Sequence, residues 1–236
     1  MLSSLWRSIH DPVFRRDLLW RRLPRPAGVF QISGDTGEDR FPAIFRFVRD
    51  ALGDGELRLL SFGCSTGEEV FTLRRYFPLA AIDGIDINPY RIKTCRSRLR
   101  RQGGDPQLSF SVAGSSDHLP DASYDAIFCL AVLRHGGLAE GPAPRCDHLI
   151  RFEDAERITA DFARCLKPGG FLAIVSSNFR FADMAAGALF KVVMRQPANW
   201  RPGLLPLYDR HNRLLPGAVY RDAVFQRRAE MDPFGA

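Results

Sequence analysis

Short, mostly apolar runs alternate with amphipathic segments along the middle of this 236-residue chain. The runs are typical of buried strands and lie at residues 57–62, 80–86, 107–113, 124–130 and 171–176. Helical spacing of apolar residues predicts helices near 42–52, 68–77, 89–101, 153–166 and 182–194. A final antiparallel strand is predicted over residues 219–227. The alternation favours an α/β fold, a mostly parallel sheet with helices on both faces.

The first 52 residues predict a helical cap. Leu2, Leu5, Trp6 and Ile9 have helical spacing, and a second short helix is expected to follow Asp11-Pro12 and to run to about residue 23. We therefore expect residues 1–52 to form an N-terminal helical cap and residues 53–236 to form the core domain. The cap either covers the ligand-binding end of the sheet or serves packing alone.

The stretch from Leu57 to Glu69 reads as a buried strand, a tight glycine turn and a helix, which is the unit that binds nucleotide-like ligands. A dinucleotide site needs three glycines in a G-x-G-x-x-G pattern, but Ser65 and Glu68 occupy the second and third positions. A P-loop is excluded because no G-K-[ST] is present. Glu68 and Glu69 in the first helical turn would repel a phosphate. The loop therefore favours a ligand without phosphates, with a cation as one option.

The sequence from Phe62 to Glu69 resembles motif I of class I S-adenosylmethionine (SAM)-dependent methyltransferases. Its G-C-S-T-G-E-E form is similar to that of the chemotaxis receptor methyltransferases, although Ser61 stands where an acidic residue is usual. Further blocks that resemble this family are G-I-D-I-N-P at 84–89, Y-D-A-I-F at 124–128 and L-K-P-G-G at 166–170. The resemblance implies a Rossmann-like, seven-stranded sheet and SAM as cofactor, with S-adenosylhomocysteine (SAH) as product.

The resemblance also implies a set of cofactor contacts. Asp86, at the end of the second strand, suits the ribose hydroxyls, a role that carboxylates also have in NAD sites. The adenine side is assigned jointly to Ser115, Ser116 and Asp117. The remaining implied contacts lie in the glycine loop, after Asp86 and at the end of the fourth strand: Gly63, Cys64, Ser65, Thr66, Gly67, Ile87, Cys129 and Leu130.

Two histidines are candidates for a general base. Residues 136–146 are rich in Gly and Pro and predict a long loop, flanked by His135 and His148. Methyl transfer to oxygen or nitrogen often needs a base with a pKa near neutral, which histidine supplies. The alternative for each is an ordinary half-buried or loop histidine.

Composition indicates the cellular environment and the kinds of partner that the protein could have. No apolar run reaches the roughly 20 residues of a membrane-spanning helix, and five scattered cysteines without C-x-x-C indicate a reduced, cytoplasmic protein without structural zinc or another metal. The net charge of +6 is concentrated in the flanks: residues 1–30 carry six arginines and two aspartates, and residues 191–228 carry eight basic and two acidic residues. The flanks are either solvated faces or surfaces that meet an acidic substrate or an anionic membrane. Nothing resembles a nucleic-acid-binding module, and the oligomeric state is left open.

These observations predict a SAM-dependent methyltransferase that methylates an oxygen or nitrogen atom of a small molecule or of a glycan- or lipid-linked metabolite. Protein carboxyl methylation of the chemotaxis type is an alternative, disfavoured because Leu130-Ala131 replaces the Arg-Asn pair of those enzymes. A non-catalytic SAM-fold scaffold that acts through its basic flanks is the other alternative.

Overall fold

The computed structural model describes Phe30, Gly34 and residues 36–197 and 205–229. Its helices are α1 (Pro42–Leu52), α2 (Glu68–Tyr76), α3 (Pro89–Arg101), α4 (Gly136–Glu140) and α5 (Phe152–Cys165). Strands β1 to β5 span Arg58–Phe62, Ala81–Asp86, Leu108–Val112, Tyr124–Leu130 and Leu166–Val175. Strands β6 to β9 span Phe190–Arg195, Leu207–Tyr208, Leu214–Leu215 and Asp222–Arg227.

Seven of these strands form one sheet in the order β3-β2-β1-β4-β5-β9-β6. The pairs among β1 to β5 are all parallel, and β9 is antiparallel to both β5 and β6. The sheet confirms the predicted Rossmann-like architecture and its final antiparallel strand. The chain order reverses between β1 and β4, and ligands of open α/β sheets bind at such a reversal.

Consecutive residues of the central strands pack into cores on opposite faces of the sheet. Leu60 and Ile127 belong to one core, in which the rings of Phe62 and Phe162 lie 4.9 Å apart. The adjacent Phe128 belongs to the other core. Burial on both faces explains why these strands read as continuous apolar runs rather than as alternating patterns.

The predicted helix over residues 182–194 is wrong. Two short 3₁₀ turns, Phe181–Asp183 and Ala185–Leu189, are followed there by strand β6. At Gly187 the backbone packs so tightly that a Cβ atom would lie 2.5 Å from the carbonyl oxygen of Phe181. The chain then pairs with β9 at the edge of the sheet, and this long-range pairing overrides local helical spacing.

The L-K-P-G-G block also differs in detail from its prediction. Helix α5 ends at Cys165, and β5 begins at Leu166, with a register shift where residues 167–170 bulge out of the pairing with β4. Gly169 has a positive φ of 79°, which favours glycine. Gly170 is needed for a close approach instead, because its Cβ would lie 3.0 Å from the carbonyl oxygen of Asp125.

The segment 136–152, predicted as a loop over 136–146, contains the short helix α4 and is braced by the β7–β8 hairpin. The buried Asn212 accepts a hydrogen bond from the Phe152 amide through its side-chain oxygen (2.7 Å), and its carbonyl accepts one from the Cys146 amide (3.0 Å). Tyr208, also buried, donates its hydroxyl to the carbonyl of Ala143 (3.1 Å). Residues 209–213, between β7 and β8, thus form the tip of a supporting hairpin.

Helix α1 confirms the prediction near residues 42–52. The predicted helices between residues 2 and 23 lie outside the described residues, so the N-terminal cap stays a prediction. Among the helices that the structure describes, none is long and apolar enough to cross a membrane.

Candidate functional site

The loop between β1 and α2 has three residues with a positive φ angle. Gly63, Ser65 and Gly67 have φ values of 75°, 52° and 95°. A Cβ atom at Gly63 would lie 2.6 Å from a methyl group of Val132, so glycine is needed there for both conformation and space. The amides of Gly63 and Cys64 donate to the carbonyl of Ile85 (2.8 and 2.9 Å), which ties this loop to the end of β2.

Asp86 is a buried carboxylate that joins two loops. One of its carboxylate oxygens accepts a hydrogen bond from the Ser65 amide (2.9 Å), and the other accepts one from the Asn88 amide (2.8 Å). Asn88 in turn caps α3 by accepting the Tyr90 amide (2.9 Å). The carboxylate is therefore held at the carboxyl end of β2, where the ribose contact was predicted.

A cavity of about 480 Å³ opens at the carboxyl ends of β1, β2 and β4. Its size falls within the range of small-molecule and cofactor sites. Its walls combine glycine-loop backbone with acidic, basic and apolar side chains: Phe30, Gly34, Thr36, Arg40, Phe62, Gly63, Cys64, Ser65, Glu69, Asp86, Ile87, Arg91, Ala113, Gly114, Leu130, Ala131, Val132, Arg134, Gly136, Ala139 and Glu140.

The cavity brings together half of the predicted cofactor contacts: Gly63, Cys64, Ser65, Asp86, Ile87 and Leu130. The others lie outside its lining. Thr66 donates its hydroxyl to Glu68 (2.7 Å), Gly67 packs toward Phe71, and Cys129 is buried in the core.

On the adenine side, the cavity reaches Ala113 and Gly114 but not the three residues predicted there. Ser115 donates to the Asp117 carboxylate (2.5 Å) at the surface, and Ser116 is buried. The Arg164 guanidinium fixes this loop by donating to the Ser116 carbonyl (2.9 Å). An adenine contact through Ser115, Ser116 or Asp117 stays a prediction.

Both candidate histidines lie outside the cavity lining. His135 is buried between the lining residues Arg134 and Gly136, and its Nδ1 accepts the Gly137 amide (3.2 Å) as the N-cap of α4. His148 is exposed on the turn that precedes α5. Neither base assignment is tested by this geometry, and both stay predictions.

Glu69 lines the cavity but is not among the contacts predicted from the sequence. Its carboxylate accepts the hydroxyl of Ser61 (2.7 Å), so the serine at the usually acidic position is paired with an acidic side chain from α2. Burial raises the pKa of Glu69 to about 7, against the lowering effects of the Ser61 hydrogen bond and the Arg40 charge. The second glutamate of G-E-E was the available signal, because in a helix it points to a different side from Glu68.

Positive charge also reaches the cavity, through Arg40, Arg91 and Arg134. The site therefore presents both signs of charge around the glycine loop. Such a surface suits a ligand that carries both charges rather than a simple cation.

The part of the chain that builds this site matches a known protein family. Residues 60–174, just under half of the chain, match the family described as a methyltransferase domain. The matched stretch runs from β1 to β5 and contains the glycine loop, Asp86 and the β4 wall of the cavity. Residues 60–174 are thus similar to methyltransferase domains, in agreement with the class that the sequence resemblance implied.

Individual relatives are more distant. The chain is 28% identical to the methyltransferase GfsG of Streptomyces halstedii over 119 aligned residues. The alignment covers 50% of this chain and 36% of the relative. It is 24% identical to trans-aconitate 2-methyltransferase of Methylobacterium radiotolerans, over 73% of this chain and 58% of the relative. Among solved structures, the [4+2]-cyclase SpnF is similar, with 21% identity and a TM-score of 0.46 over 73% of this chain and 59% of that one. The chain spans between about a third and three fifths of the curated relatives' length.

Proposed function

We propose that this chain is a methyltransferase that binds SAM in the cavity and transfers its methyl group to an oxygen or nitrogen atom of a small molecule, or of a glycan- or lipid-linked metabolite. The observation that carries the proposal is the cavity itself, where the glycine loop, the buried Asp86 and the cavity-facing Glu69 converge at the reversal in strand order. Relatives named for trans-aconitate and demethylmenaquinone support a small-molecule acceptor.

The adenosine part of the cofactor is assigned to the β2 end of the cavity. Asp86 would accept hydrogen bonds from the ribose hydroxyls, and its bonds from the Ser65 and Asn88 amides hold it in orientation. Ile87 and Gly114 would border the adenine, since both line the cavity beside Asp86.

The methionine part is assigned to the glycine loop and Glu69. This part of SAM carries an ammonium, a carboxylate and the sulfonium, and Glu69 and Arg40 offer the complementary charges on one wall. A pKa near 7 means that burial disfavours the ionised form of this carboxylate, and a bound cation stabilises that form. The match between these charges and the cofactor is our main reason for preferring SAM to a neutral ligand.

When bound, SAM supplies an activated methyl group on its sulfonium. The chain's own contribution would be to orient the acceptor in line with that methyl and to exclude water, which is catalysis by proximity. Leu130 and Ala131, at the end of β4, line the wall where the acceptor would approach. A base such as His135 would be needed only for an acceptor that arrives protonated.

Calorimetric titration with SAM and SAH tests the proposal. We expect wild-type protein to bind both at about micromolar Kd, near −8 kcal/mol. Glu69→Gln is expected to weaken both about tenfold or more, because both carry the ammonium group. Glu68→Gln is the matched control, since Glu68 pairs with Arg98 (3.3 Å) and does not line the cavity. Absence of binding to either compound would overturn the proposed function.

A further inference from the structure

Arg134 extends from a backbone that is held firmly at the acceptor end of the cavity. It lies four residues beyond β4, and Asn178, on the segment after β5, bonds to the residues on both sides of it. The Asn178 amide donates to the Leu133 carbonyl (2.9 Å), and the Asn178 side-chain oxygen accepts the His135 amide (2.8 Å). The backbone of Arg134 is therefore fixed between the segments that follow β4 and β5.

The charge of Arg134 has no counter-ion in the part of the chain that the structure describes. Its side chain is partly buried, its Nε atom is buried without a hydrogen-bond partner, and no carboxylate of these residues lies within ion-pair distance. Burial, and then the nearby charge of Arg40, lower the pKa of Arg134. A partly buried cation with a like charge as neighbour is costly unless an anion joins it.

Several other partly buried arginines of the described residues form ion pairs. Arg98 contacts Glu38 (2.9 Å) and Glu68 (3.3 Å), and Arg58 contacts Asp83 (3.0 Å). Arg134 forms no such ion pair with a described residue, and it lines the cavity. The contrast indicates that its partner lies outside the part of the chain that the structure describes.

Arg134 is separated from the predicted ribose contact, because β1 lies between β4 and β2, the strand that ends at Asp86. Arg134, Gly136 and Ala139 line the cavity wall that follows β4, and the Arg40 charge that acts on Glu69 also acts on Arg134. Glu140 lines the same wall without pairing with Arg134. That wall begins where β4 ends, at the side from which an acceptor would approach the methyl group.

We propose that the acceptor carries an anionic group, a carboxylate or a phosphate, and that the Arg134 guanidinium binds it. The planar guanidinium can donate two parallel hydrogen bonds to such an anion, which fixes orientation as well as position. Arg134 would then select the acceptor and hold its nucleophilic atom toward the methyl. This inference rests on the proposed function, because it requires the rest of the cavity to hold SAM.

The test uses the full chain saturated with SAH, so that the cofactor's own carboxylate site is filled. Calorimetry measures binding of tricarballylate, of inorganic pyrophosphate and of the uncharged triethyl ester of tricarballylate. The first two probes distinguish a carboxylate site from a phosphate site, and the ester controls for shape. We expect at least one anion to bind and the ester not to bind.

Variants then assign the site. Arg134→Gln should weaken the bound anion at least tenfold and change SAH affinity less than twofold, while Arg134→Lys should recover part of the anion affinity. Arg101→Gln removes the same charge from an exposed position at the end of α3 and should change neither. Retained anion binding in Arg134→Gln, or no anion binding to the SAH complex of wild type, overturns the inference.

A large loss of SAH affinity in Arg134→Gln also overturns it, because the anion would then be the cofactor's own carboxylate. Failure of wild type to bind SAH is a different result. It removes the proposed function, and the inference falls with it.

Discussion

Replacing Glu69 by Gln isolates one ionisable group in the cavity. Glutamine keeps the size of the side chain and can still accept the Ser61 hydroxyl, which bonds to the carboxylate at 2.7 Å. The groups that face Glu69 are Arg40, which favours its charge, and the thiols of Cys64 and Cys129, whose pKa values are raised. The substitution therefore removes the titration of Glu69 and leaves Arg40 and the two thiols in place.

The expected effect on stability follows from the raised pKa. Glu69 has a pKa of about 7 in the folded protein against 4.5 ordinarily, so the folded state holds a proton that the unfolded state releases between these values. Stability from this group is complete below pH 4.5 and is lost as the pH rises through 7. The full difference corresponds to about 3 kcal/mol, an upper bound because Glu69 is partly exposed at the cavity and solvent screens its charge.

Urea unfolding at pH 5, 6, 7 and 8.5 measures this dependence without ligand. We expect Glu69→Gln to exceed wild type by less than about 1 kcal/mol at pH 5 and to become still more stable than wild type as the pH rises, by up to about 3 kcal/mol. Glu68→Gln reports the general effect of losing a carboxylate from the same helix. A difference between Glu69→Gln and wild type that is the same at every pH would refute the reasoning.

Three further predictions follow from the same contacts. SAM affinity of wild type should rise between pH 6 and pH 8 and level off above, measured by calorimetry, because the cation binds the ionised form of Glu69; a flat profile would contradict this. Gly63→Ala should cost about 1–3 kcal/mol more in urea unfolding than Gly53→Ala, since both have a φ of 75° but only Gly63 meets Val132. Equal costs would contradict that clash. Asn212→Ala should lower the free energy of unfolding by about 1–3 kcal/mol by leaving the buried Phe152 amide unpaired, and an unchanged urea midpoint would refute the bracing role.

The parts of the fold that local sequence determines were predictable. Strands β1 and β4 are buried on both faces, so they appear in the sequence as continuous apolar runs. The loop after β1 needs positive φ angles, which its glycines indicate. Strand β6 was predicted as a helix because its structure depends on pairing with β9, more than 25 residues away in sequence.

The site was predictable at its backbone and less so at its side chains. Gly63 follows the last residue of β1 and Asp86 ends β2, so the strand pattern and the motif resemblance together located them. Glu69 and Arg134 gain their significance from burial, from charge and from which wall of the cavity they reach, and none of these can be read from spacing.

A crystal structure of the full chain with bound SAH tests the central claim most directly. The account predicts the ribose hydroxyls at Asp86 and the ammonium group within about 3 Å of the Glu69 carboxylate. It also predicts that the wall around Arg134 remains open to an acceptor. SAH bound elsewhere, or bound in the cavity with its ammonium away from Glu69, would contradict the account.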